Sequence, residues 1–374
     1  MELLSLLNIR RDSCVTIANQ LCDQINWMIS TGELQEGAHL PPIRSAAAAL
    51  GIHMHTMRSA YHLLEVRGLV STCPGKGTVV LPYLPFAQKT NELNSGSHLI
   101  GLLIPNFSPF YAELLNGAEQ IAKEEHCLIM IMKVGNNPSL AEKYLDMLIA
   151  KNTEGVINTS LGFTHEFQKK LEDAEIVLPF PIVYADVPSL SHSAVNLDSA
   201  GAAYQAAVHL LEHGHSVIGL INVPQEWPLG NEIYKGFQEG LRARAGGTGQ
   251  LFIKTVTDFS IEAGYQAGLM LVNSVLKPTA IFAVSDTLAI GAMRAFKDQG
   301  LKVPEDMAVV GYNNLEIASL MEPPLTSMSA PAYELGAQSM GMLFSLIRNR
   351  RNNCENKILA TQMVIRRSCG CLQP

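Results

Sequence analysis

From residue 98 onward the chain alternates short apolar runs with longer amphipathic stretches, and no other feature of the sequence constrains the fold as much. The runs at 99–104, 128–133, 155–158, 182–185, 217–221, 251–256, 280–284 and 308–312 are dominated by Ile, Val, Leu and Ala. A strand buried on both faces reads as such a continuous apolar block, whereas a half-exposed strand alternates. Between them, 110–125, 200–213, 233–244 and 260–276 carry helical spacing. Strand and helix repeating in this way imply parallel sheets with helices on both faces.

In parallel α/β folds ligands bind beyond the carboxyl ends of the strands. The residues there are Asn106, Phe107, Asn158, Ser160, Asp186, Asn222, Phe259, Ser285, Asp286, Asn313 and Asn314, with Phe110 or Tyr111 at the rim. Amides, acids and aromatics suit a polar small molecule held by stacking and hydrogen bonds. Alternative readings stay open at this point. Phe259 also fits a core position, Asp286 a helix cap, and Asn313 and Asn314 a turn.

Composition sets the outer bounds. At 374 residues the chain is long for one domain, and 47% hydrophobic against 16% charged residues excludes disorder. A formal net charge of -7 excludes a surface basic all over, yet leaves room for a local nucleic-acid-binding module. No G-x-S-x-G, H-E-x-x-H or phosphate-cradling glycine loop is present, so no enzyme activity is expected. The seven cysteines show no zinc spacing. Cys369-Gly370-Cys371 reads as a pair of reduced tail thiols, and no metal or cofactor is expected. The N-terminus lacks a long apolar signal-type stretch, and no run approaches the ~20 apolar residues that span a bilayer. The expected location is the cytoplasm, with no membrane partner.

Residues 1–82 have a different pattern. Ala18, Leu21, Cys22, Ile25, Met28 and Ile29 form one apolar helix face that ends at Gly32. A short helix follows Pro41-Pro42 from Ile43 to Leu50, and Gly51 breaks it. The third helix, about 55–67, buries Met57, Ala60, Tyr61 and Leu64 and turns His55, Arg58, Ser59 and His62 outward. Residues 69–81 then read as a hairpin around Pro74-Gly75-Lys76-Gly77. Three helices and a hairpin make a winged helix-turn-helix, whose recognition helix enters the DNA major groove. Residues 83–97 form a polar linker. The first 82 residues hold six Lys/Arg and six Asp/Glu, so one neutral reading head binds weakly, which favours a dimer.

This segment resembles the GntR family of bacterial regulators. Gly32-Glu33-Leu34, Leu40-Pro41, Arg44, Leu50-Gly51-Ile52, Thr56, Arg58-Ser59-Ala60-Tyr61, Gly68-Leu69-Val70 and Gly75-Lys76-Gly77 carry the likeness. It implies that Arg44, Thr56 and Arg58 touch phosphate or base edges, and that the Gly75-Lys76-Gly77 turn enters the minor groove. Where that family has Ser or Thr followed by Arg, this chain has His53 and Met54. Histidine caps a helix less well, and the lost arginine removes a DNA contact that His53 and His55 can replace as donors.

Residues 98–372 resemble the effector domain of LacI/GalR regulators, itself similar to periplasmic sugar-binding proteins. The likeness runs through Ile100-Gly101-Leu102-Leu103-Ile104-Pro105, Val195-Asn196-Leu197-Asp198, Lys235-Gly236-Phe237, Ile281-Phe282-Ala283-Val284-Ser285-Asp286 and Val310-Gly311-Tyr312-Asn313-Asn314. It implies two lobes, about 98–194 with 331–357 and about 195–329 with 358–372, joined by three crossovers near 194–196, 328–331 and 357–359. Many relatives have an arginine where this chain has Ile233, Asn where it has Ser285, and Asp where it has Asn313. Those departures put a common hexose or pentose in doubt as the effector.

The expected fold is therefore α/β, an N-terminal winged helix-turn-helix plus a two-lobed periplasmic-binding-protein-like domain with parallel sheets. The expected function is a ligand-responsive transcriptional regulator, acting as a homodimer on double-stranded operator DNA under control of a small-molecule effector. Two alternatives stay open: a cytoplasmic sensor whose winged helix does not bind DNA, and a regulator that needs no effector.

Overall fold

The apolar spacing of the first segment becomes a three-helix core. The computed structural model describes residues 2–9, 11, 16–30, 32–73, 77–82, 98–135, 137–160, 170, 177–189, 191–243, 249–349 and 354–371. The expected linker at 83–97 lies outside them, as do Gly75 and Lys76. A short helix α1 (Glu2–Leu6) precedes α2 (Ile17–Ser30), strand β1 (His39–Leu40), α3 (Ile43–Ala49), α4 (Met54–Val66) and the hairpin β2 (Val70–Cys73) and β3 (Gly77–Val80). Leu21, Ile25, Met57 and Leu64 are fully buried at the centre of the helices. Strand β3 lies between β1 and β2 in an antiparallel sheet. The two-residue β1 is too short to show in a sequence pattern. Tyr61 ties α4 back to the chain before α3 by donating to the Pro41 carbonyl at 2.7 Å.

The rest of the chain is α/β, as the apolar blocks predict. In order it forms β4 (Leu99–Ile104), α5 (Pro109–Glu124), β5 (Leu128–Lys133), α6 (Pro138–Ala150), β6 (Gly155–Asn158), β7 (Ile182–Ala185), β8 (Ser193–Leu197) and α7 (Ser199–Glu212). Then come β9 (Val217–Asn222), α8 (Pro228–Ala243), β10 (Gln250–Thr255), α9 (Ile261–Val272), β11 (Ala280–Ala283) and α10 (Asp286–Asp298). The chain continues through β12 (Ala308–Asn313), α11 (Glu316–Leu320), β13 (Thr326–Ser329), α12 (Ala332–Asn349), β14 (Asn356–Leu359) and β15 (Gln362–Val364). The strands make two six-stranded sheets, ordered β10-β9-β11-β12-β13-β15 and β14-β8-β7-β6-β4-β5. By contacts the chain divides into two units. One comprises Met1–Leu103, Cys127–Val156 and Gly162–Pro181; the other comprises Ile104–His126, Ile157–Leu161 and Ile182–Pro374.

The sheets are parallel as expected, with one exception among the described strand pairs. Strand β15 runs antiparallel to β13, with Ser327 opposite Val364. It reaches that edge from β14, a strand of the other sheet, by a link of only Ala360 and Thr361. Small residues set the helix packing of the second unit. Gly117 of α5 faces the Tyr333 carbonyl, and Gly336 of α12 faces the Leu114 carbonyl in return. A Cβ at either position would lie 1.9 Å from the opposing oxygen.

Candidate functional site

Two sites follow from the two modules. On the winged helix, Arg44 on α3 and His53, Met54, His55 and Arg58 at the start of α4 are exposed, and Thr56 is half-buried beside them. His53 is the N-cap of α4. Its Nδ1 accepts from the His55 N–H at 3.3 Å, and the two rings stack with centroids 5.3 Å apart. The histidine therefore does cap the helix, by a long bond. Arg11 donates to the Gly51 carbonyl at 3.0 Å, and Arg67 pairs with Asp23 at 3.0 Å. Arg44 and Arg58 have no ion-pair partner among the described residues. Gly77 opens β3 at φ +87, a left-handed conformation that side-chain-bearing residues avoid.

In the second unit, Asp186 directly follows β7 and takes φ +58, which turns the chain sharply at the strand terminus. Among the described residues its carboxyl accepts one hydrogen bond, a long one of 3.4 Å from the Leu197 N–H. Burial pushes the carboxyl up to about 7, and the negative charge of Glu232 adds to the shift. Two tyrosines lie within its electrostatic reach: burial and the Asp186 charge both push Tyr111 and Tyr312 upward. Tyr312 also pairs with the Ser199 hydroxyl at 2.9 Å. Glu232 is raised by burial and by Asp198, against the opposing pull of Lys235. Asn222 donates to the Gly230 carbonyl at 2.9 Å, while among the described residues its own buried Oδ1 has no partner. The Asn196 Oδ1 is likewise buried and unpartnered.

The expected residues divide into those with and without free capacity. Tyr111 and Asp186 come together. Phe110 is buried beside Tyr111, with ring centroids 5.2 Å apart in an edge-on arrangement. Asn106 accepts from the Ser108 N–H at 2.9 Å and so shapes the entry to α5. Ser160 donates to Asn158 Oδ1 at 2.6 Å. Asn313 has φ +99 at the end of β12. Phe259 is half-buried, and its carbonyl accepts from the Thr287 hydroxyl at 2.6 Å.

Three other expected residues serve the fold. Ser285 is the N-cap of α10, accepting from the Thr287 N–H. Asp286 accepts from the Leu315 N–H and the Ser327 hydroxyl, each at 2.6 Å, and so joins three elements. Ile233 has no exposed surface. Glu232, Asp198, Ser199 and Tyr312 complete the cluster around Asp186. The tail thiols have neighbours from far along the chain: Cys371 Sγ lies 3.0 Å from His213 Nε2 and 3.3 Å from His209 Nε2.

An exposed, unpaired arginine face on a winged helix, joined in one chain to an α/β module with an underfilled polar cluster, defines a class: the ligand-responsive transcriptional regulators. The family model described as bacterial regulatory proteins, gntR family, matches residues 17–80, and that of a periplasmic binding protein-like domain matches 207–369. The HTH-type transcriptional repressor CytR of Escherichia coli (strain K12) is 30% identical over 291 residues, covering 78% of this chain and 84% of that one. The ribose operon repressor of Haemophilus influenzae is 28% identical, over 77% and 86%. Among solved structures, a LacI family transcriptional regulator from Enterococcus faecium with bound ribose superposes with a TM-score of 0.65 at 27% identity, over 74% of this chain and 100% of that one. The chain belongs to the LacI-type transcriptional regulators, with a gntR-family winged helix as its N-terminal module. Among the described residues no helix is long and apolar enough to cross a membrane.

Proposed function

We propose that this chain represses transcription in the cytoplasm as a homodimer. On this reading residues 1–82 grip operator DNA, 83–97 link, and 98–374 bind the effector and dimerise. Its lobes are about 98–194 with 331–357 and about 195–329 with 358–372. Arg44, His53, Met54, His55, Thr56 and Arg58, with the Gly75-Lys76-Gly77 turn, contact the duplex. The freedom of Arg44 and Arg58 from ion pairs favours this over a non-DNA-binding winged helix, because guanidinium groups left in solvent are ready for phosphate and guanine.

The observation that carries the effector reading is Asp186. A carboxyl held by one long hydrogen bond, beside Glu232 and two tyrosines, wants hydrogen-bond donors. The effector is therefore a neutral molecule rich in hydroxyl groups, of the sugar class, and anionic ligands are repelled. The bound ribose of the Enterococcus faecium regulator and the name of the Haemophilus influenzae relative support this class.

The test is salt-dependent binding to DNA from upstream of the chain's own gene, with unrelated DNA as control, repeated with neutral sugars, nucleosides and sugar phosphates. Specific binding altered by a neutral ligand but not by a phosphorylated one is expected. A folded protein that binds no DNA at any salt, with or without these ligands, overturns the reading.

A further inference from the structure

The chain ends its described course at an unusual meeting of side chains. After β15 the segment is pinned by Ser368, whose hydroxyl donates to the Val309 carbonyl at 2.6 Å and accepts from the Thr326 N–H at 2.8 Å. Gly370 takes φ +81, which folds the next residue back so that the Cys369 and Cys371 sulfurs lie 3.1 Å apart. Helix α7 supplies two histidines from one face, His209 and His213, spaced four residues apart. Donor atoms of His209, Cys369 and Cys371 all lie within 4.8 Å of one another, and His213 Nε2 is 3.0 Å from Cys371 Sγ.

We propose that Cys369, Cys371, His209 and His213 bind one zinc ion. With Zn–S near 2.3 Å and Zn–N near 2.0–2.1 Å, a tetrahedral Cys₂His₂ site has donor–donor edges of roughly 3.3–3.8 Å. The three edges at Cys371, to Cys369, His209 and His213, measure 3.1, 3.3 and 3.0 Å, and the donors of His209, Cys369 and Cys371 lie within 4.8 Å of one another, so the ion draws in His209 and Cys369 and turns the His213 side chain to complete the set. The donors are also oriented for a metal. His213 Nδ1 is 2.7 Å from the His209 carbonyl; donating its proton there leaves the Nε2 lone pair facing Cys371, the outer-shell bond a metal-bound imidazole makes. The Thr326 hydroxyl donates to Cys369 Sγ at 3.1 Å, which favours a thiolate. Nearby His215 is engaged instead with the Thr279 hydroxyl at 2.9 Å.

Two thiolates and two imidazoles select zinc over magnesium or calcium. Binding replaces two S–H bonds with two Zn–S bonds and releases two protons, so the complex carries no net charge at the donors. Cys369 is buried, while Cys371 keeps some exposure and His213 is open to solvent, which gives the ion an entry path. The ion would clamp the tail to α7, whose first residue, Ser199, pairs with Tyr312 of the effector cluster.

The experiment uses the full chain, chelator-stripped and kept reduced, titrated first with Co²⁺ and then with Zn²⁺. Expected are thiolate-to-cobalt charge-transfer and tetrahedral absorption bands saturating at one equivalent per chain, and their loss as Zn²⁺ displaces Co²⁺. Cys371→Ser and His213→Ala, both on the open side, each weaken Zn²⁺ binding by more than about 100-fold, beyond what loss of an outer-shell group does. Zn²⁺ raises the melting temperature of the parent and not of Cys371→Ser. Cys354→Ser, at an exposed cysteine bonded to the Ser191 carbonyl, leaves uptake unchanged. The proposal is overturned if the reduced protein takes up no cobalt at one equivalent, or if neither variant alters uptake. It is also overturned if mass spectrometry finds Cys369 and Cys371 joined in a disulfide that withstands the reductant.

Discussion

At the scale of the residue, Asp186 carries the most testable physics. Its pKa is raised in the folded state to about 7, whereas an unfolded aspartate titrates near 3.9. Below about pH 4 both states hold the proton and the residue contributes nothing. Between about pH 4 and 7 the unfolded chain has released it and the native chain has not, so stability falls as pH rises; above 7 the penalty is constant. Asp186→Asn removes that penalty. Denaturant titration should find the variant more stable than the parent at pH 8, on the order of 1–3 kcal/mol after solvent screening, and equal to it at pH 4. The same variant should lose effector binding. An equal difference at both pH values would show that the carboxyl is not held protonated. This chemistry was only partly legible beforehand. Asp186 follows from its place directly after β7, and Tyr111 from its place in the first turn of the helix after β4. Glu232 did not, since nothing in its spacing sets it apart from an ordinary charged residue on an amphipathic helix. The partners of the tail thiols are some 160 residues away in sequence, beyond the reach of any spacing rule.

At the scale of the element, the legible strands are those buried on both faces, where nearly every residue is apolar. Strands β4, β6 and β7 begin and end where the apolar blocks do, and so does the edge strand β5, whose block is apolar although most of it is exposed. Strands β8 (SAVNL), β13 (TSMS) and β15 (QMV) mix polar and apolar residues and gave no such signal. Helix packing was hidden for another reason: it depends on where glycines meet the opposing backbone. Gly117→Ala would set a methyl 1.9 Å from the Tyr333 carbonyl, so α5 and α12 must separate. The expected loss is about 1–3 kcal/mol or more, seen as a lower denaturation midpoint. Gly341 lies in the same helix α12 with open space around its Cβ. Gly341→Ala should therefore stabilise, by about 0.5–1 kcal/mol, through helix propensity alone. Opposite signs within one helical pair would establish that backbone approach, not glycine content, governs this packing.

At the scale of the whole molecule, regulation requires that effector and DNA favour different arrangements of the same chain. The second unit offers a place where such a change can act. The segments after β8 and β14 are tied to each other: the Asp198 N–H donates to the Leu359 carbonyl at 2.9 Å, and the Thr361 hydroxyl donates to the Asp198 carbonyl at 3.1 Å. Asp186 takes the N–H of Leu197 one residue earlier, so a ligand drawn to its carboxyl pulls directly on this joint. The coupling is then a free energy shared by two binding equilibria, and it is reciprocal. If saturating effector changes operator affinity by some factor, saturating operator must change effector affinity by that same factor, about 5–150-fold for a coupling of 1–3 kcal/mol. Calorimetric titration of effector with and without operator measures one arm, and DNA titration with and without effector measures the other. Arg58→Ala supplies the control. Loss of a phosphate contact should lower the salt slope of DNA binding by about 1 for each contact removed, and leave effector affinity without DNA unchanged. Unequal factors in the parent protein would mean that the two ligands do not act on one shared equilibrium. A change in effector affinity on Arg58→Ala without DNA would mean that the arginine supports the ligand module itself.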